Sequence, residues 1–330
     1  MKNRVLMSVL CLVFAISLLP VVASAEKELK LASWGPTQHY VATARAEWIN
    51  EVNEKLAGRY KIVDYPGGQL FGPREMHTAV ARGSVDLGVV LQPAMLAMVP
   101  ILQGVYLPFA FDNLDEVAEA YSGESLEILE RAMEAKRLKL VYMSYTDGVQ
   151  MYSAKGNIEK VEDLKGLRVL SQSPIFSEIM AKLGAAPDTS VPQTEQYMAL
   201  QRGISDAIAN SVVGGYFQKN HEVAPYVTLM DMSFSTIPVL MNLNTWNSLP
   251  ADVQEVLTSI GHEKGLKTLA MAKGWQANFE NKLKEEGATV TEMSDEEMEK
   301  IRVVAREVWE KWAKDNGPEA QRLLEISLKR

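Results

Sequence analysis

An α/β chain of two lobes, braced by one long helix in the manner of a two-lobed (Venus flytrap) solute-binding protein, is the fold this sequence predicts. Three observations carry that expectation. Strand and helix patterns alternate up to Leu91, the alternation restarts beyond Asp147-Gly148, and an amphipathic stretch from Ala251 to Glu286 is longer than one small lobe needs. Lobe I is read as residues 26–147 plus 236–275 and lobe II as 148–235 plus 276–330, behind a signal segment at 1–25.

In the first lobe, ELKLAS from Glu28 to Ser33 alternates like a half-buried strand, and apolar residues recur at helical spacing from His39 to Leu56. The strand YKIVDY follows, then the turn-rich PGGQLFGPRE, with a helix expected to begin near Pro73. VDLGVVL, Val85 to Leu91, reads as a short buried strand, so a parallel sheet with crossover helices is the economical topology. Helical stretches are expected from Leu114 to Tyr121 and from Ser125 to Lys136. LKLVYMSYT and VQMYSA then read as strands on either side of Asp147-Gly148, a dipeptide that suits a hairpin turn or a crossing between lobes.

The second series runs through the strand LRVL, a helix from Pro174 to Leu183, a short strand near Ala186, a helix from Glu195 to Gln201 and the strand DAIAN. Strand character returns at Ile237 to Leu243. Pro250 then opens the long helical stretch, about 50 Å at 1.5 Å per residue. Gly261, Gly265 and Gly274 interrupt it and are read as points of bending or of close helix packing.

Composition narrows the class. Lys2 and Arg4 precede an apolar run from Val5 to Val22 that closes on Ala23-Ser24-Ala25, the order of a secretory signal cleaved before Glu26. The lone cysteine, Cys11, lies inside that run, so the mature chain forms no disulfide and is expected in the periplasm. Removing Lys2 and Arg4 from 34 basic side chains leaves 32 against 42 acidic ones, a net charge near −10. Acids and bases are interspersed, which excludes an evident nucleic-acid or anionic-membrane binder.

Catalytic signatures are missing. His39, His77, His221 and His262 are scattered without a second ligand at metal spacing, so no metal or other cofactor is expected. No nucleophile elbow, phosphate loop or dinucleotide fingerprint occurs, and Gly67–Gly72 lacks the Lys-Ser/Thr ending of an anion cradle. Asp295-Glu296-Glu297 sits at a helix start, where acids complement the dipole. The arrangement left is that of a non-catalytic binder with a cleft between strand ends.

Three blocks carry a family resemblance: PGGQLFGPREMHTAVARGSVDLGVV, EDLKGLRV and LGAAPDTSVPQTEQYMALQRGISDAIAN. They resemble the landmarks of solute-binding proteins of tripartite ATP-independent periplasmic (TRAP) transporters, the dicarboxylate-binding (DctP-like) type. The likeness covers essentially the whole mature chain. It implies two lobes that close over one small-molecule solute and deliver it to TRAP permease membrane subunits, a shuttle role that a monomer suits. The same cleft would serve a protein reporting to a chemoreceptor.

The departures from that family bear on the ligand. Relatives carry a carboxylate-binding arginine where this chain has Leu170, and many carry a second where it has Gln150. A guanidinium fork supplies charge and bidentate geometry that neither replaces. Arg168 shares a strand face with Leu170 and is the remaining possible anion anchor. Ser171, Gln172, Ser173, Gln193 and Asn210 offer uncharged donors and acceptors. Trp34 follows the first strand, Gln92 follows VDLGVVL, and Tyr145, Asp147, Tyr152, Tyr216 and Phe217 fall near the expected hinge or cleft. The missing arginines favour a neutral or cationic ligand, and the family resemblance favours an organic acid held by another anchor.

Overall fold

The computed structural model describes residues 26–192 and 195–328, apart from Gln172; the signal segment therefore lies outside the described residues. Strand β1 (Lys27–Ala32) leads into helix α1 (Tyr40–Lys55), then β2 (Tyr60–Tyr65), α2 (Met76–Arg82) and β3 (Leu87–Val89). Both β2 and β3 pair parallel to β1, as crossover connections require. Helix α2 starts three residues later than Pro73 because Gly72 to Glu75 form a turn, the amides of Glu75 and Met76 both donating to the Gly72 carbonyl at 3.1 Å.

Helices α3 (Leu114–Ala120) and α4 (Gly123–Glu134) precede β4, which runs unbroken from Leu138 to Ser153. Of the two readings of Asp147-Gly148, the crossing is the one adopted. The chain stays extended through the dipeptide, with a shift of register between Tyr145 and Gly148. The two halves of β4 belong to different strand sets. Leu138 to Gly148 pair antiparallel with β9 (Phe234–Asn242), whereas Val149 to Ser153 pair antiparallel with β7 (Ala207–Ser211).

Between them lie β5 (Arg168–Leu170), α5 (Pro174–Lys182), β6 (Ala186–Asp188), α6 (Gln196–Gln201), α7 (Val212–Phe217) and β8 (Tyr226–Leu229). The strand order is β2-β1-β3-β9-β4-β7-β5-β6, with β8 on β4 and on β10 (Thr289–Glu292). Helix α8 (Ala251–Glu285) packs on α1, β4, α7 and β10, so one helix touches both strand sets. Helices α9 (Asp295–Asn316) and α10 (Pro318–Leu328) close the chain. Among the described residues no helix is long and apolar enough to cross a membrane.

Each strand set has its own apolar core. Leu29, Trp48, Ile62, Leu87 and Leu257 fill the first, and Met151, Val169, Ile179, Ile301 and Trp309 the second. A third cluster containing Tyr40, Tyr145, Tyr152 and Leu170 lies across the junction. The glycines of α8 divide by environment. A Cβ on Gly265 would stand 2.1 Å from the Met143 carbonyl oxygen, so this glycine lets α8 approach β4, while Gly274 faces open space.

Candidate ligand-binding site

Strands that end together leave a crevice beyond their carboxyl ends. Here β1, β3, β5 and β7 all end at a cavity of about 170 Å³. From the first strand set come Trp34, His39, Arg45 and Leu91. Ser171, Ser173, Phe176, Gln196, Asn210 and Gln218 come from the second. Thr146, Val149, Ser233 and Ser235 line it where β4 and the chain entering β9 cross.

Arg45 is the charged side chain of this wall among the described residues, and no carboxylate faces it there. It sits on the buried stripe of α1 with Val41, Trp48 and Val52, and only 6% of it is exposed. Its Nε donates to Asp64 Oδ2 at 3.3 Å, and Ser33 Oγ fixes the other carboxylate oxygen at 2.7 Å. The terminal nitrogens, Nη1 and Nη2, make no hydrogen bond among the described residues. His39 caps α1, its Nδ1 accepting from the Val41 amide at 3.2 Å. Burial lowers its pKa to about 4, so the imidazole is neutral near pH 7.

The residues singled out from sequence separate into two groups. Trp34, Ser171, Ser173 and Asn210 line the cavity. The Trp34 indole N–H is buried without a partner among the described residues, whereas Ser171 Oγ donates to the Ser173 carbonyl at 3.1 Å, and Ser173 Oγ accepts from the Phe176 amide at 3.3 Å. Asn210 donates to Gln218 Oε1 at 3.1 Å and accepts from the Ser211 amide at 2.9 Å.

Gln92, Asp147, Gln150, Leu170 and Tyr216 do not line it. Gln92 donates to the Leu102 carbonyl at 3.1 Å and accepts from Thr236. Asp147 is fully buried, accepting from the Val213 amide at 2.9 Å and from the Tyr40 hydroxyl at 3.2 Å. Burial raises its pKa to about 6, against the pull of those hydrogen bonds. Gln150 accepts from the amides of Met230 at 2.6 Å and Asp231 at 2.9 Å, and donates to the Gly148 carbonyl at 3.1 Å and to Asp231 Oδ1 at 2.5 Å. Leu170, 1% exposed, belongs to the apolar cluster at the junction. Tyr216 donates to Glu286 at 2.5 Å and stacks on His221. Gln193 and Gln172 lie outside the described residues.

Arg168 is also off the wall. Its Nε and Nη2 grip Asp206 at 2.9 and 2.8 Å, and Nη2 also donates to the Gly203 carbonyl at 2.7 Å. This fork holds the Asp206 pKa down to about 2. Arg45, Gln196, Gln218 and Ser233 are among the wall residues that sequence reading missed. The signal for Arg45 was present: one arginine interrupts an otherwise apolar stripe at helical spacing, Val41, Arg45, Trp48, Val52. For the others, which tertiary structure brings to the cavity, no such pattern exists.

Among known proteins, the profile of bacterial extracellular solute-binding protein family 7 (DctP) matches residues 31–315. A solute-binding protein of Sulfitobacter sp. (strain NAS-14.1) is 30% identical over 256 residues, 76% of each chain. The C4-dicarboxylate-binding periplasmic protein DctP of Rhodobacter capsulatus is 27% identical over 268 residues, 79% of this chain and 77% of that one. A TRAP periplasmic solute-binding protein from Roseobacter denitrificans, solved with bound β-D-glucuronate, superposes with a TM-score of 0.86 at 20% identity, covering 92% of this chain and 99% of its own. With a profile match that spans both strand sets and the cavity between them, the chain belongs to the DctP family, family 7 of the bacterial extracellular solute-binding proteins.

Proposed function

We propose that this chain is an extracytoplasmic receptor that takes a small organic anion between two closing lobes, with Arg45 as the carboxylate anchor. The observation that carries the reading is the chemistry of the wall among the described residues: one guanidinium, paired with Asp64 through Nε alone and open at both terminal nitrogens, and no carboxylate on the cavity side. A cation would enter against Arg45, and a neutral ligand would leave its terminal nitrogens without acceptors in a desolvated site. The preference for a neutral or cationic ligand, read from the missing arginines, therefore yields to the organic-acid reading. The guanidinium absent at Leu170 and Gln150 is supplied from the opposite wall. The Rhodobacter relative is named for C4-dicarboxylates and the Roseobacter structure holds a uronate, both of them carboxylates.

The proposed mechanism is closure. Lobe I, residues 26–147 and 236–275, carries Arg45 and Trp34; lobe II, residues 148–235 and 276–330, carries Asn210 and Gln218. A ligand touching both walls binds the closed state better than the open one and shifts the population by that difference. The strands near Asp147 and Ser235 serve as the hinge. The mature receptor begins at Glu26, acts as a monomer in the periplasm, performs no catalysis, and hands its solute to TRAP permease subunits.

Thermal unfolding of residues 26–330 against carboxylates, polyols and amines tests this, since a ligand at 100 times its Kd adds about 2.7 kcal/mol of stability. Carboxylates are expected to raise the Tm of the native chain and not of Arg45→Gln. Shifts confined to amines or polyols would contradict the proposal.

A further inference from the structure

We infer that the ligand is a monocarboxylate bearing several hydroxyl or carbonyl oxygens, about one six-membered ring in size, and that Gln196 with Gln218 and Ser233 reads those oxygens. The inference rests on Arg45 holding the carboxylate and narrows the substrate class of that same site.

Among the described residues the cavity wall offers one cation, Arg45, which Asp64 already pairs through Nε. A second carboxylate would be desolvated among serines, amides and apolar side chains with no counter-charge, so dicarboxylates are disfavoured. The remaining polar groups are uncharged and incompletely used. Gln196 is 4% exposed, lines the cavity, and makes no side-chain hydrogen bond among the described residues. Gln218 accepts from Asn210 through Oε1, and its Nε2 makes no such bond. Ser233, 7% exposed, uses its backbone carbonyl to accept from Val149, while its hydroxyl has no partner among the described residues.

Their neighbours set a contrast. Thr146 donates to the Ser235 carbonyl at 2.7 Å, and Ser171 bonds within its own turn, so these hydroxyls are engaged in the protein. A ligand without oxygens at Gln196, Gln218 and Ser233 would strip two buried polar groups and the half-exposed Gln218 amide of water and give nothing back, and sites built to bond a hydroxyl reject its deoxy analogue strongly. Apolar side chains complete the wall: Val149, Phe176 and Ile237 suit the C–H face of a ring. The volume of about 170 Å³ is close to that of a protein cavity of about 150 Å³ that accepts one benzene ring.

The test is titration calorimetry of residues 26–330 with a panel of hexuronates and hexonates, cyclohexanecarboxylate, succinate, glutarate and D-glucose. At least one hydroxylated acid is expected to bind about 100-fold more tightly than cyclohexanecarboxylate or either dicarboxylate. Gln196→Leu is expected to weaken that acid about tenfold or more and to leave cyclohexanecarboxylate within about threefold. Gln218→Leu, at a half-exposed position, gives the same pattern more weakly and guards against a folding defect in the first variant. A dicarboxylate binding as tightly as every hydroxylated acid, or no hydroxylated acid binding at all, overturns the inference while leaving Arg45 to be judged by the dicarboxylate. D-glucose binding as tightly as the acids overturns both this inference and the anion reading beneath it.

Discussion

The crossover segment of β4 and the cavity wall are both buried and polar, yet they treat their hydrogen-bonding groups in opposite ways. At Asp147 and Gln150 the side chains are turned onto the protein. Gln150 alone satisfies two amides, a carbonyl and a carboxylate, and Gly148 has no side chain because Asp231 Oδ1 lies 1.8 Å from where its Cβ would be. On the wall, Arg45, Gln196 and Ser233 keep groups that nothing in the described protein engages. Closed hydrogen-bond sets hold strands together, and open ones facing a cavity wait on a solute.

The largest expected effect comes from opening the closed set. Gln150→Leu strands two amides and the Asp231 carboxylate, and at about 1–3 kcal/mol for each unsatisfied group it is expected to cost roughly 4 kcal/mol of stability. Affinity per folded molecule should stay within about threefold, since Gln150 does not reach the cavity. Chemical denaturation and calorimetry on one preparation separate the two. A lost ligand affinity with unchanged stability would collapse the distinction between the regions.

Arg45→Gln is the reverse case. Removing a charge-assisted fork from a desolvated site is expected to lower carboxylate affinity by about 100-fold, near 3 kcal/mol. Its effect on stability is expected to be smaller than that of Gln150→Leu, because the protein makes one bond of 3.3 Å to this guanidinium.

Asp147 sharpens the comparison through pH. Its folded pKa, about 6, lies above the ordinary 3.8, so its contribution to stability is complete below about 3.8 and is lost as pH rises through 6. Asp147→Asn should therefore gain on the native chain between pH 4 and 8, by at most about 3 kcal/mol at 1.36 kcal/mol per unit. Parallel stability curves for the two proteins would show that this carboxylate does not titrate with folding.

The smallest effects concern two serines. Ser171→Ala removes bonds within a turn and should cost about 1 kcal/mol of stability with little change in binding. Ser233→Ala removes an open hydroxyl and should weaken the best hydroxylated acid by about fivefold, with stability nearly unchanged.

Periodicity made most of the fold legible. The βαβαβ start, the restarted series and α8 follow from spacing that reports which face is buried. Asp147-Gly148 is ambiguous in sequence because a turn dipeptide and a strand crossing share the same residues, and the pairing of β4 with β9 before it and β7 after it decides between them. The site was less legible for a related reason. Sequence shows that Gln150, Asn210 and Gln196 are amides, but whether an amide is closed onto the protein depends on chain segments far away, Met230 and Asp231 for Gln150. Arg45 could have been found, since a charge on an apolar helical stripe needs a buried partner or a ligand.

The most direct test of the account couples Arg45 to the carboxylate itself. The acid that gives the largest thermal shift and its primary amide are each titrated into the native chain and into Arg45→Gln. The account predicts about 100-fold preference for the acid in the native chain and almost none in the variant, a coupling near 3 kcal/mol. A preference for the acid that survives in Arg45→Gln would contradict it and place the anion on another group.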